Sequence, residues 1–135
     1  MILDSRHVAT SIDRPARAVY AYIADPTNLP SWAHGLANAD VELVDGTWTV
    51  ESPMGTVTVR FAPPNDLGVV DHDVTLPSGE VVSNPLRVVP NADGCDVVFT
   101  VRRREGMSDS DLDADVAAVT EDLATLRSLL QDGGA

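Results

Sequence analysis

Residues 108–130, SDSDLDADVAAVTEDLATLRSLL, decide the fold of this chain. Ser108 with acidic residues directly after it is typical of a helix start, because the serine caps the first turn and carboxylates favour the positive end of the helix dipole. The apolar residues then recur every three or four positions: Leu112, Val116, Val119, Leu123, Leu126 and Leu130. This spacing predicts a long helix whose apolar stripe packs on a sheet. A coiled coil is the alternative, but the heptad pattern is short and the other faces are acidic.

The stretch before this helix, residues 41–103, consists of short strand patterns separated by turn residues. Asp45-Gly46 is a hairpin signal, and proline–glycine turns follow at 53–55 and 77–79. Residues 81–89 are predicted as one strand. Connections this short favour an antiparallel sheet.

The N-terminal part supplies one more strand and two short helices. Residues 6–13 alternate between apolar and polar side chains, which predicts a strand. Pro15 suits the first turn of a helix that Asp13 would cap, and a shorter helix is predicted over 27–34. The expected fold is therefore α+β, with a curved antiparallel sheet of about seven strands around the long C-terminal helix.

The length of the chain limits the number of its domains, and its charge limits the classes of molecule that it can bind. The 135 residues fit one domain, 1–135, with a flexible tail at 131–135. A net charge of −12 argues against nucleic acid or an anionic membrane surface as the main partner. The sequence has no long apolar run, so membrane insertion is not expected. Cys95 is the single cysteine, so an internal disulfide is excluded. Without a signal peptide or a long apolar run, we expect a cytoplasmic protein, and its oligomeric state stays open.

The residues from Ile12 to Trp32, IDRPARAVYAYIADPTNLPSW, resemble the start of a known family. Pro15, the pair Val19-Tyr20 and the Leu29-Pro30 that precedes Trp32 match the opening of the polyketide cyclase/dehydrase-like group of the START/SRPBCC superfamily. The resemblance implies a helix-grip fold with a cavity between the sheet and the C-terminal helix. Members of the superfamily cyclise polyketides, bind lipids or hormones, carry quinones, or activate a chaperone ATPase.

Four later segments are similar to a bacterial branch of the same superfamily that has no established activity. They are Ser52-Pro53-Met54-Gly55, Gly68-Val69-Val70-Asp71-His72, Asn84-Pro85-Leu86-Arg87 and Gly106-Met107-Ser108. The resemblance therefore implies a cavity and leaves its contents open.

His72 is the leading candidate for chemistry. In the strand predicted over 67–76, alternation places it on the apolar face with Val70 and Val74, away from its two flanking aspartates. An imidazole in an apolar pocket can act as a general acid or base, or hydrogen-bond a ligand. A buried histidine satisfied by neighbouring groups is the alternative.

Further ligand-binding residues are predicted from the same alternation and from the cavity mouth expected near the short helix. The alternation of residues 81–89 is ambiguous, and we favour the phase that turns Asn84 inward. Asn84 precedes Pro85, where a bulge would re-aim the amide either into the cavity or toward the sheet backbone. Each position has a structural alternative, such as core packing for the tryptophans or surface exposure for His34. The predicted set, besides His72, is Trp48, Val59, Phe61, Asn84, Trp32 and His34.

No metal or cofactor is predicted. The histidines at positions 7, 34 and 72 lack the local spacing of a zinc site, and the sequence has no phosphate loop or dinucleotide fingerprint.

Three functions remain open. The first is binding of a small apolar ligand (a lipid, polyketide or aromatic metabolite) in the cavity. The second is a cyclase/dehydratase-type enzyme with His72 as acid/base and Asn84 or Trp48 orienting the substrate. The third is a protein-interaction module with a filled core, which a void below about 300 Å³ would favour. Ligand binding is preferred because catalysis needs several polar groups that converge on one reacting atom.

Overall fold

In the computed structural model, which describes residues 1–132, the predicted C-terminal helix forms as α3 (Asp109–Arg127). Ser108 Oγ accepts a hydrogen bond from the Asp111 N–H at 3.1 Å, and the Asp111 carboxylate accepts one from the Ser108 N–H at 3.2 Å. This reciprocal capping box fixes the start of the helix. Leu112, Leu123 and Leu126 of the apolar stripe are buried, as the spacing predicted.

A π-helical turn, Ser128–Asp132, continues α3. Gln131 lies in this turn rather than in the tail predicted for 131–135, because its side-chain Oε1 accepts a hydrogen bond from the Asp13 N–H at 2.9 Å. Residues 133–135 of that prediction lie outside the described residues.

The strands form two antiparallel sheets, which refines the single sheet of about seven strands that the sequence predicted. One sheet has the order β1-β8-β7 and the other β2-β3-β4-β5-β6. The bounds of the eight strands are β1 (Ser5–Ile12), β2 (Glu42–Val44), β3 (Thr47–Ser52), β4 (Gly55–Phe61), β5 (His72–Thr75), β6 (Val81–Asn84), β7 (Leu86–Asn91) and β8 (Gly94–Arg102). The class is α+β, as predicted.

The extra strand arises at Pro85, where the predicted strand 81–89 divides into β6 and β7. Proline has no N–H for a sheet ladder, so the chain leaves one sheet there and enters the other. The next amide, that of Leu86, donates instead to Asp71 Oδ1 at 2.9 Å. The same carboxylate accepts two hydrogen bonds from Arg87, each of 2.8 Å. Asp71 therefore stabilises the passage of the chain from β6 to β7 through hydrogen bonds to Leu86 and Arg87 on the outer face of the sheets.

Of the strand predicted over 67–76, only β5 (His72–Thr75) forms in the five-stranded sheet. The residues before it pair with β7 of the other sheet instead. The Val70 N–H donates to the Leu86 carbonyl, and the Val88 N–H donates to the Gly68 carbonyl, both at 2.8 Å. A Cβ on Gly68 would lie 2.1 Å from the Val88 oxygen, and its φ is +72°. Only glycine allows these two segments of the backbone to approach so closely.

Two helical segments cover one end of the core. Helix α1 (Ala16–Ile23) starts directly after Pro15 without a side-chain cap, so Asp13 does not cap it as predicted. A 3₁₀ turn, Pro26–Asn28, leads into α2 (Leu29–Trp32), which is shorter than the predicted 27–34. Within the described part of the chain, every helix falls short of the combined length and apolarity needed to cross a membrane.

Candidate functional site

A cavity of about 160 Å³ lies between the strands of both sheets, α2 and α3. We call it the central cavity. Its walls are mostly apolar and come from every layer of the fold. The strands contribute Phe61, His72, Val74, Val82, Asn84, Leu86, Phe99 and Val101. Helix α3 contributes Asp115, Ala118, Val119, Asp122 and Leu123, and α2 with its C-terminal loop contributes Leu29, Trp32, Ala33, Gly35 and Leu36. Connecting segments contribute Met54, Leu76 and Arg104.

Three of the lining residues form a row across neighbouring strands. Phe61 on β4 pairs with His72 on β5, and His72 pairs with Asn84 on β6. Directly paired side chains share one face of the sheet and lie within contact range. The ring centroids of Phe61 and His72 are 5.2 Å apart, and Phe99 on β8 of the other sheet makes an edge-to-face contact with His72 at 5.9 Å. The imidazole therefore contacts two phenylalanine rings and lies beside an amide.

His72 is buried, with 5% of its surface exposed, and its orientation follows from one hydrogen bond. Its Nδ1 lies 3.1 Å from the Val70 carbonyl oxygen. A carbonyl only accepts, so Nδ1 carries the proton and Nε2 keeps a lone pair. Within residues 1–132, no hydrogen bond reaches Nε2. Burial lowers the pKa of His72, so the neutral form is favoured.

The aspartates beside His72 face the other way, as the alternation predicted. Asp71 binds Arg87, and Asp73 accepts a hydrogen bond from the Ser83 hydroxyl at 2.7 Å. The Arg87 guanidinium lowers the pKa of Asp71, which stays ionised in this ion pair. A His–Asp dyad is therefore not formed by these neighbours.

Two further polar groups of the cavity walls lack hydrogen-bond partners. Among residues 1–132, the Asn84 side-chain amide makes no hydrogen bond to the protein. Trp32 is only 3% exposed, and its buried indole N–H has no hydrogen-bond partner among the described residues. A buried polar group without a partner is costly, and native structures have few of them. The Trp32 indole is such a group. The Nε2 of His72 and the amide of the partly buried Asn84 are two further polar groups of the same cavity that have no partner in the described part of the chain and that a polar ligand atom would satisfy.

The rim of the central cavity carries charge. Asp122 on α3 accepts a hydrogen bond from the Gly35 N–H at 3.1 Å, and burial raises the pKa of its carboxyl. Burial also raises the pKa of Asp115, a shift that the nearby Arg104 opposes. Arg104 pairs with Glu80 at 3.2 Å. The rim thus holds two carboxylates and one guanidinium that is already paired.

Four of the predicted ligand-binding residues line the central cavity, and three do not. Phe61, His72, Asn84 and Trp32 line it. Trp48 and Val59 pair with each other across β3 and β4 but lie at a separate cleft of about 240 Å³.

Trp48 is therefore separated from the central cavity, and α1 contributes to the cleft where it lies. Tyr20 of α1 lines the same cleft, and both of these aromatic side chains pack against the core. Val59 is fully buried in that core. His34 is exposed, and the cavity is lined by its neighbours Ala33 and Gly35 instead.

Sequence reasoning missed several lining residues. Phe99 follows from the alternation of Cys95, Val97, Phe99 and Val101, which are the inward positions of β8. Asp115 and Asp122 lie beside the apolar stripe of α3. Acidic residues on a helix are usually solvated, so the sequence did not indicate that these two line a cavity. Among the described residues, no group of three His, Cys, Asp or Glu side chains is arranged to hold a metal ion.

Comparison with known proteins places the chain among helix-grip proteins. Residues 5–131 match the family described as polyketide cyclase / dehydrase and lipid transport. No curated protein sequence matches the chain.

Three solved structures show the same fold. An uncharacterized protein from Bacillus thuringiensis is 16% identical, with a TM-score of 0.73 over 92% of this chain and 96% of that one. The ZhuI aromatase/cyclase from Streptomyces sp. R1128 is 14% identical, with a TM-score of 0.70 over 99% of each chain. A protein from Deinococcus radiodurans is 23% identical, with a TM-score of 0.65 over 96% of this chain and 99% of that one. At these identities the similarity shows the fold alone.

Proposed function

The chain belongs to the polyketide cyclase / dehydrase and lipid transport family, and we propose that it binds a small apolar ligand in the central cavity. The observation that carries the proposal is the composition of the cavity. Its walls are mostly apolar, and the imidazole Nε2 of His72, the amide of Asn84 and the indole of Trp32 have no partners among the described residues. Ligand sites combine apolar walls with a few such polar groups.

The size of the cavity bounds the ligand. At about 160 Å³ it is smaller than the sites of drug-sized molecules, which start at about 300 Å³. By that measure the core is nearly filled, as in the interaction-module alternative. Folded cores nevertheless contain few voids larger than a water molecule, and an engineered apolar cavity of about 150 Å³ binds benzene. A single ring therefore suits this volume, whereas a lipid or a multi-ring polyketide exceeds it.

Toluene is a direct probe of the proposal. We expect it to raise the melting temperature of the protein in a concentration-dependent way, because a ligand that binds only the folded state stabilises it. Val82→Phe should abolish the shift by filling the cavity, since Val82 is one of its lining residues.

Val81→Phe is the matched control, because Val81 is the preceding residue of β6 and is 54% exposed. It should respond to toluene like the wild type. If Val82→Phe does not fold, Ala118→Leu fills the cavity from the α3 side. If neither toluene nor its hydroxyl analogue phenol changes the melting temperature or the NMR spectrum of the wild type at any concentration, ligand binding is refuted.

Catalysis is the second candidate, favoured by the free lone pair of His72 beside Asn84. A neutral imidazole can take a proton from a carbon next to a carbonyl, and an amide N–H can stabilise the resulting enolate oxygen. Acetylacetone in D₂O tests this chemistry: His72 Nε2 would accept the proton from its central carbon, and a solvent-derived deuteron would replace it. Faster deuterium uptake with the wild type than with His72→Phe supports catalysis, and equal rates exclude it.

A further inference from the structure

We infer that the central cavity selects a neutral single-ring compound with a hydroxyl group, of the phenol class, and that the hydroxyl binds between His72 and Asn84. This inference rests on the proposed ligand binding and names the ligand class of the same site. It follows from the hydrogen-bonding roles of the two side chains, the aromatic rings around them, and the charge of the rim.

The tautomer of His72 decides which ligand atom fits. Because Nδ1 donates to the Val70 carbonyl at 3.1 Å, Nε2 can only accept. A ligand that carries acceptors alone, such as a ketone or an ether, would leave this lone pair unsatisfied. The ligand must therefore bring a donor, and a hydroxyl group brings one.

Asn84 supplies the hydrogen-bond donor that complements the acceptor of His72. It is paired directly with His72 across β5 and β6, and its side-chain amide has no partner among residues 1–132. The amide offers two N–H donors, and a hydroxyl oxygen accepts while its hydrogen donates. One hydroxyl can thus satisfy both side chains at once. A hydrocarbon of the same shape satisfies neither.

The surroundings of His72 favour an aromatic ring on that hydroxyl. Phe61 and Phe99 both contact the imidazole, with ring centroids 5.2 and 5.9 Å from it. Aromatic rings gain from tilted and edge-to-face contacts with each other beyond the area that they bury. The cavity volume of about 160 Å³ admits one such ring.

The charge of the rim excludes anionic ligands. Asp115 and Asp122 line the cavity, and the whole chain carries a net charge of −12. Arg104, the cation of the rim, already pairs with Glu80. A benzoate would place its carboxylate in this field or bury it among apolar walls, and both are unfavourable. Phenol is of similar size, and it is neutral at pH 7 because a phenolic hydroxyl has a pKa near 10.

The inference is tested with three ligands of matched size, namely phenol, toluene and benzoate, whose dissociation constants are measured by NMR titration at pH 7. We expect phenol to bind at least about 10-fold more tightly than toluene, which corresponds to one net hydrogen bond of about 1.4 kcal/mol. Benzoate should show no saturable binding. In protein labelled with ¹⁵N-histidine, phenol should shift the Nε2 resonance of His72, and toluene should not.

Variants assign the effect to the two side chains. His72→Phe and, independently, Asn84→Leu should reduce phenol affinity to that of toluene while toluene still binds. His7→Phe is the matched control: this exposed histidine contacts the Thr100 hydroxyl on β8, is not one of the cavity residues, and should leave both affinities unchanged.

The outcomes separate the inference from the proposed function. Equal affinities for phenol and toluene would overturn hydroxyl recognition and leave apolar ligand binding intact. Saturable benzoate binding as tight as that of phenol would overturn the charge argument. Failure of all three compounds to bind would remove the proposed function together with this inference.

Discussion

The imidazole Nδ1 of His72 lies 3.1 Å from the carbonyl oxygen of Val70, two residues earlier in the chain. This short-range contact uses the one proton of the neutral ring and turns the free lone pair of Nε2 away from the backbone. Because the contact lies within one segment of chain, it forms whenever that segment is ordered, independently of any ligand. The acceptor is therefore ready before a ligand arrives.

Burial of His72 makes a pH-dependent contribution to stability. Its pKa is lowered in the folded state, so between that value and the unfolded value of about 6.5 the unfolded chain binds a proton that the folded chain does not. We expect the free energy of unfolding to fall as the pH drops through 6.5, by at most about 1.4 kcal/mol per pH unit.

The same denaturation series on His72→Phe should lack this part of the slope. Asp115 and Asp122, whose pKa values are raised, are present in both proteins, so their effect cancels in the difference. An NMR titration in which the His72 ring protonates near pH 6.5 would contradict the prediction.

Leu123 on α3 should carry a large share of the packing between helix and sheet. It is 2% exposed, and Leu123→Ala is expected to lower the free energy of unfolding by about 2–5 kcal/mol through lost burial and the cavity that it leaves. Leu129→Ala is the matched control, because Leu129 lies six residues further on, in the π-helical turn, and is 38% exposed. Urea denaturation measures both; similar losses for the two variants would mean that α3 does not pack as the structure has it.

Asp71 should stabilise the corner at Pro85 through the backbone rather than through its ion pair. Asp71→Ala leaves the Leu86 N–H without its acceptor, which costs about 1–3 kcal/mol for a buried group. Arg87→Ala removes only an exposed ion pair and should cost less than about 1 kcal/mol. Asp71→Asn keeps an oxygen for the Leu86 N–H and should lie closer to the wild type than Asp71→Ala. Equal losses for Asp71→Ala and Arg87→Ala in thermal denaturation would show that the ion pair dominates.

Gly68 should tolerate no side chain, for a reason beyond its backbone angle. Gly68 and Gly79 both have positive φ, but a Cβ on Gly79 meets no atom within 4 Å, whereas one on Gly68 would lie 2.1 Å from the Val88 oxygen. Gly79→Ala should therefore cost only the conformational penalty of about 1–2 kcal/mol. Gly68→Ala should cost clearly more, and amide exchange should show loss of protection at the Val88 N–H. Equal destabilisation would mean that β7 shifts to make room.

The elements and their inward faces could be predicted from the sequence because both depend on local periodicity. Alternation placed His72 inward and its flanking aspartates outward, and the structure confirms both. The spacing of the stripe from Leu112 to Leu130 likewise predicted the buried face of α3. These patterns reflect which side of one element faces water, and that information lies within about ten consecutive residues.

What only the tertiary structure decided is which inward-facing residues meet one another. Trp48 and His72 both face inward, yet α1 brings Tyr20 to the cleft at Trp48, and His72 lies at the central cavity instead. Asp115 and Asp122 belong to the polar part of α3, but Gly35 packs against Asp122 and Arg104 lies near Asp115, so both become part of the cavity rim. Such contacts join residues that are far apart in the sequence, and they depend on how whole helices and strands pack together. The sequence by itself therefore determined a helix-grip fold with an inward-facing histidine, and the packing of α1, α2 and α3 on the two sheets decided the size, the charge and the hydrogen-bonding groups of the cavity around it.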